Sequence, residues 1–161
     1  GDESTAATLA IDDIDALITD HWDSEHGGLR GEQKFPDAAL MDWLLARGIR
    51  DGSRAASEAL RQQLDAMLAS PLFDPLNGGF FRYSTRSDWS QPHYEKMLYN
   101  QAQLLRLYAR ASQHWKRPAW QAAAGAAHIH GRAGVVACRH GLVASDLIAH
   151  LPVALEELQG A

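Results

Sequence analysis

Cysteine is nearly missing from this chain. Cys138 is the only one in 161 residues, so no intramolecular disulfide, paired-cysteine zinc site or dithiol couple can form within it. Long apolar runs are also lacking, and no stretch approaches the roughly 20 residues that a membrane-spanning helix needs. There is no basic excess: the formal charge is -5 and the pI is near 5.9, which argues against a broad nucleic-acid surface. No basic-then-apolar leader opens the sequence, which leans the expected compartment towards the cytoplasm. Alternating runs of Val, Ile and Thr are scarce, so strands lack their usual material. What is abundant forms helices: 27 alanines, with Leu, Gln, Glu and Arg also frequent. At 46% apolar and 22% charged, the chain can bury a sizeable core without staples.

The apolar spacing predicts a first helix over residues 4–22, with Leu9, Ile14, Leu17, Ile18 and Trp22 on one face. Asp37 is placed to cap a second helix through Ala46, and residues 48–52 read as a turn. Ser53 can cap a third helix to Ala69, striped by Ala56, Leu60, Leu64, Met67 and Leu68. Residues 71–92 read as an irregular loop with some extended structure at 80–83. A fourth helix is expected from His93 to Ser112, burying Tyr94, Met97, Leu98, Gln101, Leu104, Leu105 and Tyr108. Pro118 suits the first turn of a fifth helix ending before Gly131. Residues 131–141 read as loop, and Ser145 can cap a short terminal helix kinked at Pro152. The expected organisation is a helical domain over 1–130 and a divergent tail over 131–161.

One internal repeat stands out. Trp22-Asp23-Ser24-Glu25-His26-Gly27-Gly28-Leu29 matches Phe73-Asp74-Pro75-Leu76-Asn77-Gly78-Gly79-Phe80, 51 positions on. Both copies run aromatic, Asp, three variable residues, Gly-Gly, then a large apolar residue. Each follows one amphipathic helix and precedes another. A period near 50 built from two helices is the signature of a hairpin array or toroid.

The second copy leads into Arg82-Tyr83-Ser84, then Trp89, then Pro92-His93-Tyr94-Glu95-Lys96-Met97-Leu98-Tyr99-Asn100-Gln101-Ala102. This stretch resembles the thioredoxin-domain-containing YyaL-like proteins, a group related to spermatogenesis-associated proteins. In these, Gly-Gly-Phe-x-Arg-Tyr-Ser precedes Trp-x-x-Pro-His-Phe-Glu-Lys-Met-Leu-Tyr. Lys34-Phe35-Pro36 after the first Gly-Gly is similar to that group's Pro-Lys-Phe-Pro, with Gln33 in place of the first proline. The resemblance covers about residues 22–108. It implies an all-α fold of antiparallel helical hairpins, a partial (α/α) toroid of the six-hairpin type shared with sugar epimerases and many glycosidases. The group's Cys-x-x-Cys motif has no counterpart here, so its redox activity is not carried over.

His93 and Glu95 are the acid/base candidates, and Arg82, Tyr83 and Trp89 on the preceding loop add a ligand platform. Sugar chemistry needs a proton donor and acceptor flanking the substrate, and aromatic faces with an arginine suit a hydroxyl-rich ligand. The structural reading stands beside this one: Pro92-His93 opens a helix, Glu95 sits in its first turn, and Arg82 and Lys96 pair with carboxylates. Residues at i and i+2 on a helix do not share a face, so His93 and Glu95 can act together only at an irregular terminus. His128, His130 and His140 have no standard ligand spacing, and no metal or cofactor is expected. Cys138 reads as a small packed residue. The expected function is a non-catalytic domain holding a sugar-like ligand at Arg82, Tyr83, Trp89, His93 and Glu95. The alternatives are a sugar isomerase or glycoside hydrolase active as a homodimer, and a structural piece of a thioredoxin-linked protein. A twelve-helix ring needs on the order of 200 residues. The chain falls short of that, which predicts self-association or a companion domain to cover its inner apolar faces. No nucleic-acid or membrane partner is expected.

Overall fold

A computed structural model describes residues 15–16 and 18–139, with side chains to residue 129. Leu9, Ile14 and Leu17, the environments of His130 and Cys138, His140, and the tail from 140 with its terminal helix lie outside the described residues. Within them the chain is helical at 15–16 and 18–21, then in α1 (Ala38–Arg50), α2 (Arg54–Ala69), α3 (Leu98–Trp115) and α4 (Pro118–Arg139). No strand is present among the described residues. Four isolated antiparallel bridges join Trp22 to Leu29, Lys34 to Ser84, Phe73 to Phe80 and Ser84 to Pro92. The fold is all-α.

The third expected helix is seen as α2, with both ends where the spacing put them. Ser53 Oγ accepts the Ala56 N–H at 3.2 Å, and the helix ends at Ala69. α1 differs in two ways. Asp37 holds the N-cap position in a left-handed conformation (φ 45°) with no side-chain cap, and burial raises its pKa. The helix also runs on to Arg50, into the expected turn, which is left to Asp51 and Gly52 (φ 69°). A lone glycine costs only about 1 kcal/mol in a helix. Arg47 ties the last turn down by bonding Asp51 at 2.9 Å and also reaching Asp15.

α4 corrects the expected loop after Gly131, because it continues through 131–139 without a break. Its glycines fall among alanines, and the surplus of strong formers outweighs them. α3 begins at Leu98 rather than His93. Residues 92–95 are drawn into backbone pairing with the preceding loop: Tyr83 O accepts the His93 N–H and Glu95 O accepts the Arg82 N–H, each at 2.8 Å. Amides committed to that pairing cannot open a helix. Tyr94 and Leu98, expected in the core, are exposed. The buried face of α3 is instead Asn100, Gln101, Leu104, Leu107, Tyr108, Ala111 and Ser112.

The helices pack in order, α1 on α2 and α3 on α4, with α1 also against α3 and α2 touching α4. One continuous core results. Leu44, Leu60, Leu64, Leu104, Tyr108 and Trp120 join it from the helices, and Trp22, Leu72, Phe80 and Trp89 from the segments between them.

Candidate functional site

The two copies of the repeat are two copies of one structure. In each, the aspartate N–H donates to the carbonyl of the second glycine: Asp23 to Gly28 at 2.8 Å, Asp74 to Gly79 at 3.0 Å. Each aspartate carbonyl accepts from the first glycine, Gly27 at 2.9 Å and Gly78 at 3.0 Å. One carboxylate oxygen of each takes the two N–H groups at the tip, Glu25 and His26 in the first copy, Leu76 and Asn77 in the second. All four glycines lie at φ between 72° and 80°. Glycine reaches that region without the side-chain penalty that other residues carry.

A lysine locks each turn, buried in the first copy and half-buried in the second. Lys34 Nζ donates to Asp23 Oδ2 at 2.7 Å, Gly27 O at 3.0 Å and Leu29 O at 2.8 Å, and the residue is 1% exposed. Lys96 Nζ donates to Asp74 Oδ2 and Gly78 O, both at 2.6 Å. Burial by itself pushes the two aspartates up. The lysine and the tip amides reverse this and bring each to about 2. Lys96 is lowered by burial, against the pull of Asp74. The pairing expected for Lys96 is therefore present, and its role is structural.

The ribbon between the second turn and α3 carries the expected site. Tyr83 stacks on His93 (centroids 4.9 Å, 12° between planes) and on Phe35 (4.8 Å, 16°). Arg82 Nη1 donates to Glu95 Oε2 at 3.1 Å, and His93 Nδ1 lies 3.6 Å from the same oxygen. The Arg82 guanidinium is raised above its ordinary pKa by that bond and that charge, with Tyr99 contributing. Because 93–95 is not helical, the i,i+2 pair comes together on one side. Arg82, Tyr83, His93 and Glu95 thus form one partly exposed face.

Trp89 does not join it. It is 1% exposed, in a left-handed conformation (φ 64°), with its indole Nε1 donating to His26 O at 2.8 Å. This corrects its expected place on the ligand platform: the indole fastens the ribbon to the first turn, with Lys34 Nζ 6.0 Å from the ring centroid. Sequence reasoning missed Phe35 and Tyr99 as members of the face, although Phe35 lay in view within Lys34-Phe35-Pro36. Tyr99 also lay in view, four residues after Glu95 and on its face at helical spacing.

No group of three His, Cys, Asp or Glu side chains converges on one point among the described residues. No helix among them is long and apolar enough to cross a membrane. A cavity of about 610 Å³ lies away from the ribbon face, with Trp22, Trp43, Leu44, Ala59 and Gln62 among its lining.

No protein-family model matches the chain. It is similar to spermatogenesis-associated protein 20 of Rattus norvegicus and of Homo sapiens, 41% identical to each over 101 residues, or 60% of this chain. The chain is related to that protein over this stretch. An uncharacterised Caenorhabditis elegans protein is 38% identical over 92 residues, 55% of the chain. The chain spans only 13% of the length of each of these relatives.

Proposed function

We propose that the ribbon face of Arg82, Tyr83, His93 and Glu95, extended by Phe35 and Tyr99, binds a polar, sugar-like ligand without transforming it. The observation that carries this reading is the stack of Phe35, Tyr83 and His93 beside the Arg82–Glu95 ion pair. Flat apolar faces and paired charged groups together suit the apolar patches and hydroxyls of a sugar ring. The same reading takes each clamped turn, with the two helices after it, as one hairpin of a partial (α/α) toroid. The order of packing, α1 on α2 and α3 on α4 with α1 beside α3, supports it.

Ligand-observed NMR against a panel of aldoses, glycosides and sugar acids tests the reading. A hit that disappears in both Tyr83→Ala and Arg82→Ala, with the fold retained, supports it. A panel without hits, or hits that survive both substitutions, rejects it. The 3.6 Å approach of His93 to Glu95 favours a second reading, acid/base catalysis on a sugar. Turnover of a panel member, lost on Glu95→Gln while binding persists, would select it.

A further inference from the structure

The two turns differ in covalent chemistry at the residue before the first glycine. Asn77 precedes Gly78 in the second copy, where the first copy has His26 before Gly27. An asparagine followed by glycine carries its own nucleophile. The glycine N–H gives its proton to a solvent base, the nitrogen attacks the asparagine Cγ, and the side-chain nitrogen leaves as ammonia. The cyclic imide then takes up one water at either carbonyl and opens to aspartate or isoaspartate. Glycine makes the attack easiest, because no side chain crowds the ring. His26 has no amide carbon, so the first turn lacks the reaction. The only other asparagine, Asn100, precedes Gln101 within α3.

Both nitrogens of that reaction are held by Asp74. The leaving nitrogen, Asn77 Nδ2, donates to Asp74 Oδ2 at 3.2 Å, and the Asn77 N–H donates to Asp74 Oδ1 at 3.1 Å. The attacking nitrogen belongs to Gly78, whose N–H donates to Asp74 O at 3.0 Å. Gly78 is also pressed on α4, where a Cβ would lie 2.8 Å from Ala126 O, and Lys96 Nζ holds its carbonyl at 2.6 Å. Asn77 is half-buried, so water and base reach the tip. What the closed turn withholds is the freedom of the two nitrogens. Ring closure therefore requires the second turn to open, and the equilibrium of that local opening sets its rate.

The product does not refit the turn. Aspartate at this position puts a carboxylate oxygen where Asn77 Nδ2 stands, 3.2 Å from Asp74 Oδ2. A donor is lost, and two like charges then share the one Lys96. Isoaspartate lengthens the main chain by one carbon between the two ends of the bond from the Gly78 N–H to Asp74 O. We propose that Asn77 is a self-modification site gated by the clamp: protected while the Asp74–Lys96 turn is closed, it converts to aspartate or isoaspartate when the turn opens, and the product cannot restore the clamp. The first turn, with His26, keeps its clamp. Ligand binding plays no part in this, so it stands or falls apart from the sugar reading.

The test incubates the 161-residue chain in mildly alkaline buffer, folded and in urea, and follows each asparagine by the mass gain of amide-to-acid exchange in its peptide. In urea Asn77 should convert well ahead of Asn100. In the folded chain Asn77 should slow at least about tenfold. Hydrogen exchange of the Gly78 amide reads the same opening, so the two reactions should be slowed by the same factor to within about threefold. Lys96→Met removes the clamp and should speed Asn77 in the folded chain at least about tenfold. The purified, refolded product should exchange faster at the Gly78 amide and unchanged at the Gly27 amide. The exchange comparison uses the parent alone, so it decides the matter even where Lys96→Met fails to fold. Conversion of Asn77 at one rate in folded and unfolded chains overturns the proposal, as does slowing out of step with Gly78 exchange. An Asn77 that stays intact in urea overturns it outright.

Discussion

Turn 22–29 and turn 73–80 share their hydrogen bonds, their glycine conformations and their lysine clamp, and they end in different surroundings. Ser84 and Trp89 cover the first turn: Ser84 closes the backbone at Lys34, and Trp89 caps His26. Lys34 has three acceptors and is 1% exposed, whereas Lys96 has two and its side chain is 10% exposed. The contrast separates two things that a sequence motif merges. The clamp is a property of the turn, and the burial of the clamp is set by the segment C-terminal to it. The ribbon face with Arg82, Tyr83, His93 and Glu95 exists because the second loop is long enough to reach back over the first turn.

The sharpest way to break the comparison is to remove each lysine. Lys34→Met leaves the Asp23 carboxylate without its cation and strands Gly27 O and Leu29 O in the interior. Breaking one partner of a buried pair costs about 3–5 kcal/mol. Lys96→Met strands one carbonyl fewer and should cost about 1 kcal/mol less. Urea unfolding of both variants gives the order. A larger loss at Lys96 would show that burial does not set the strength of the clamp.

Glycine replacement ranks next. A Cβ on Gly78 would lie 2.8 Å from the backbone oxygen of Ala126 in α4, and one on Gly27 3.0 Å from the Cα of Gln63 in α2. Both positions also carry positive φ, so each alanine brings strain as well as a clash with helix backbone, together about 2–4 kcal/mol. Gly78→Ala should be the worse of the two in thermal melts, the reverse of the lysine order. That reversal distinguishes packing of the turn on its helix from the clamp inside it.

Acid tests both clamps together. Asp23 and Asp74 titrate near 2 in the folded chain against an ordinary 3.8. The unfolded chain therefore binds more protons between these values, and stability rises with pH through that window. Their contribution is complete above about pH 4 and is lost as pH falls towards 2, roughly 2–3 kcal/mol for the two after allowance for solvent screening. An Asp23→Asn/Asp74→Asn variant followed by circular dichroism should lose most of that slope.

The elements legible in the sequence are those that depend on local signals. Ser53, the stripe of α2 and Pro118 are such signals, and those ends fall as expected. The Asp–Gly-Gly repeat is also visible, since four glycines at fixed spacing demand a shared backbone. The ribbon is not. Its bonds join Lys34 to Ser84 and Tyr83 to His93, and no periodicity within a window reports such pairing. Tyr94, Met97, Leu98 and Gln101 fall at helical spacing, so an extended segment running into α3 reads as one long helix. The carboxylate pairing of Lys96 is in view, but the clamp role of Lys34 is hidden because a lysine is usually solvated, and burying one takes a full set of acceptors. Trp89 is misplaced by sequence because a tryptophan in a loop reads as exposed until a partner such as His26 O is known.

Two glutamines give the finest comparison. Gln101 Oε1 accepts the Phe80 N–H at 2.9 Å and its Nε2 donates to Phe80 O at 2.6 Å, so α3 holds the end of the second turn by both backbone groups. Gln63 in α2 donates once, to Pro36 O at 3.0 Å, and its buried Oε1 has no partner among the described residues. Gln101→Leu strands a buried donor and a buried acceptor and should cost about 2–3 kcal/mol. Gln63→Leu strands one carbonyl but also removes an orphaned oxygen, so the two effects offset and the change should stay within about 1 kcal/mol. Urea midpoints at unchanged slope would show this. Equal losses would mean that Gln63 makes a bond to the first turn beyond the one to Pro36, and that the two turns are anchored more alike than their hydrogen bonds imply.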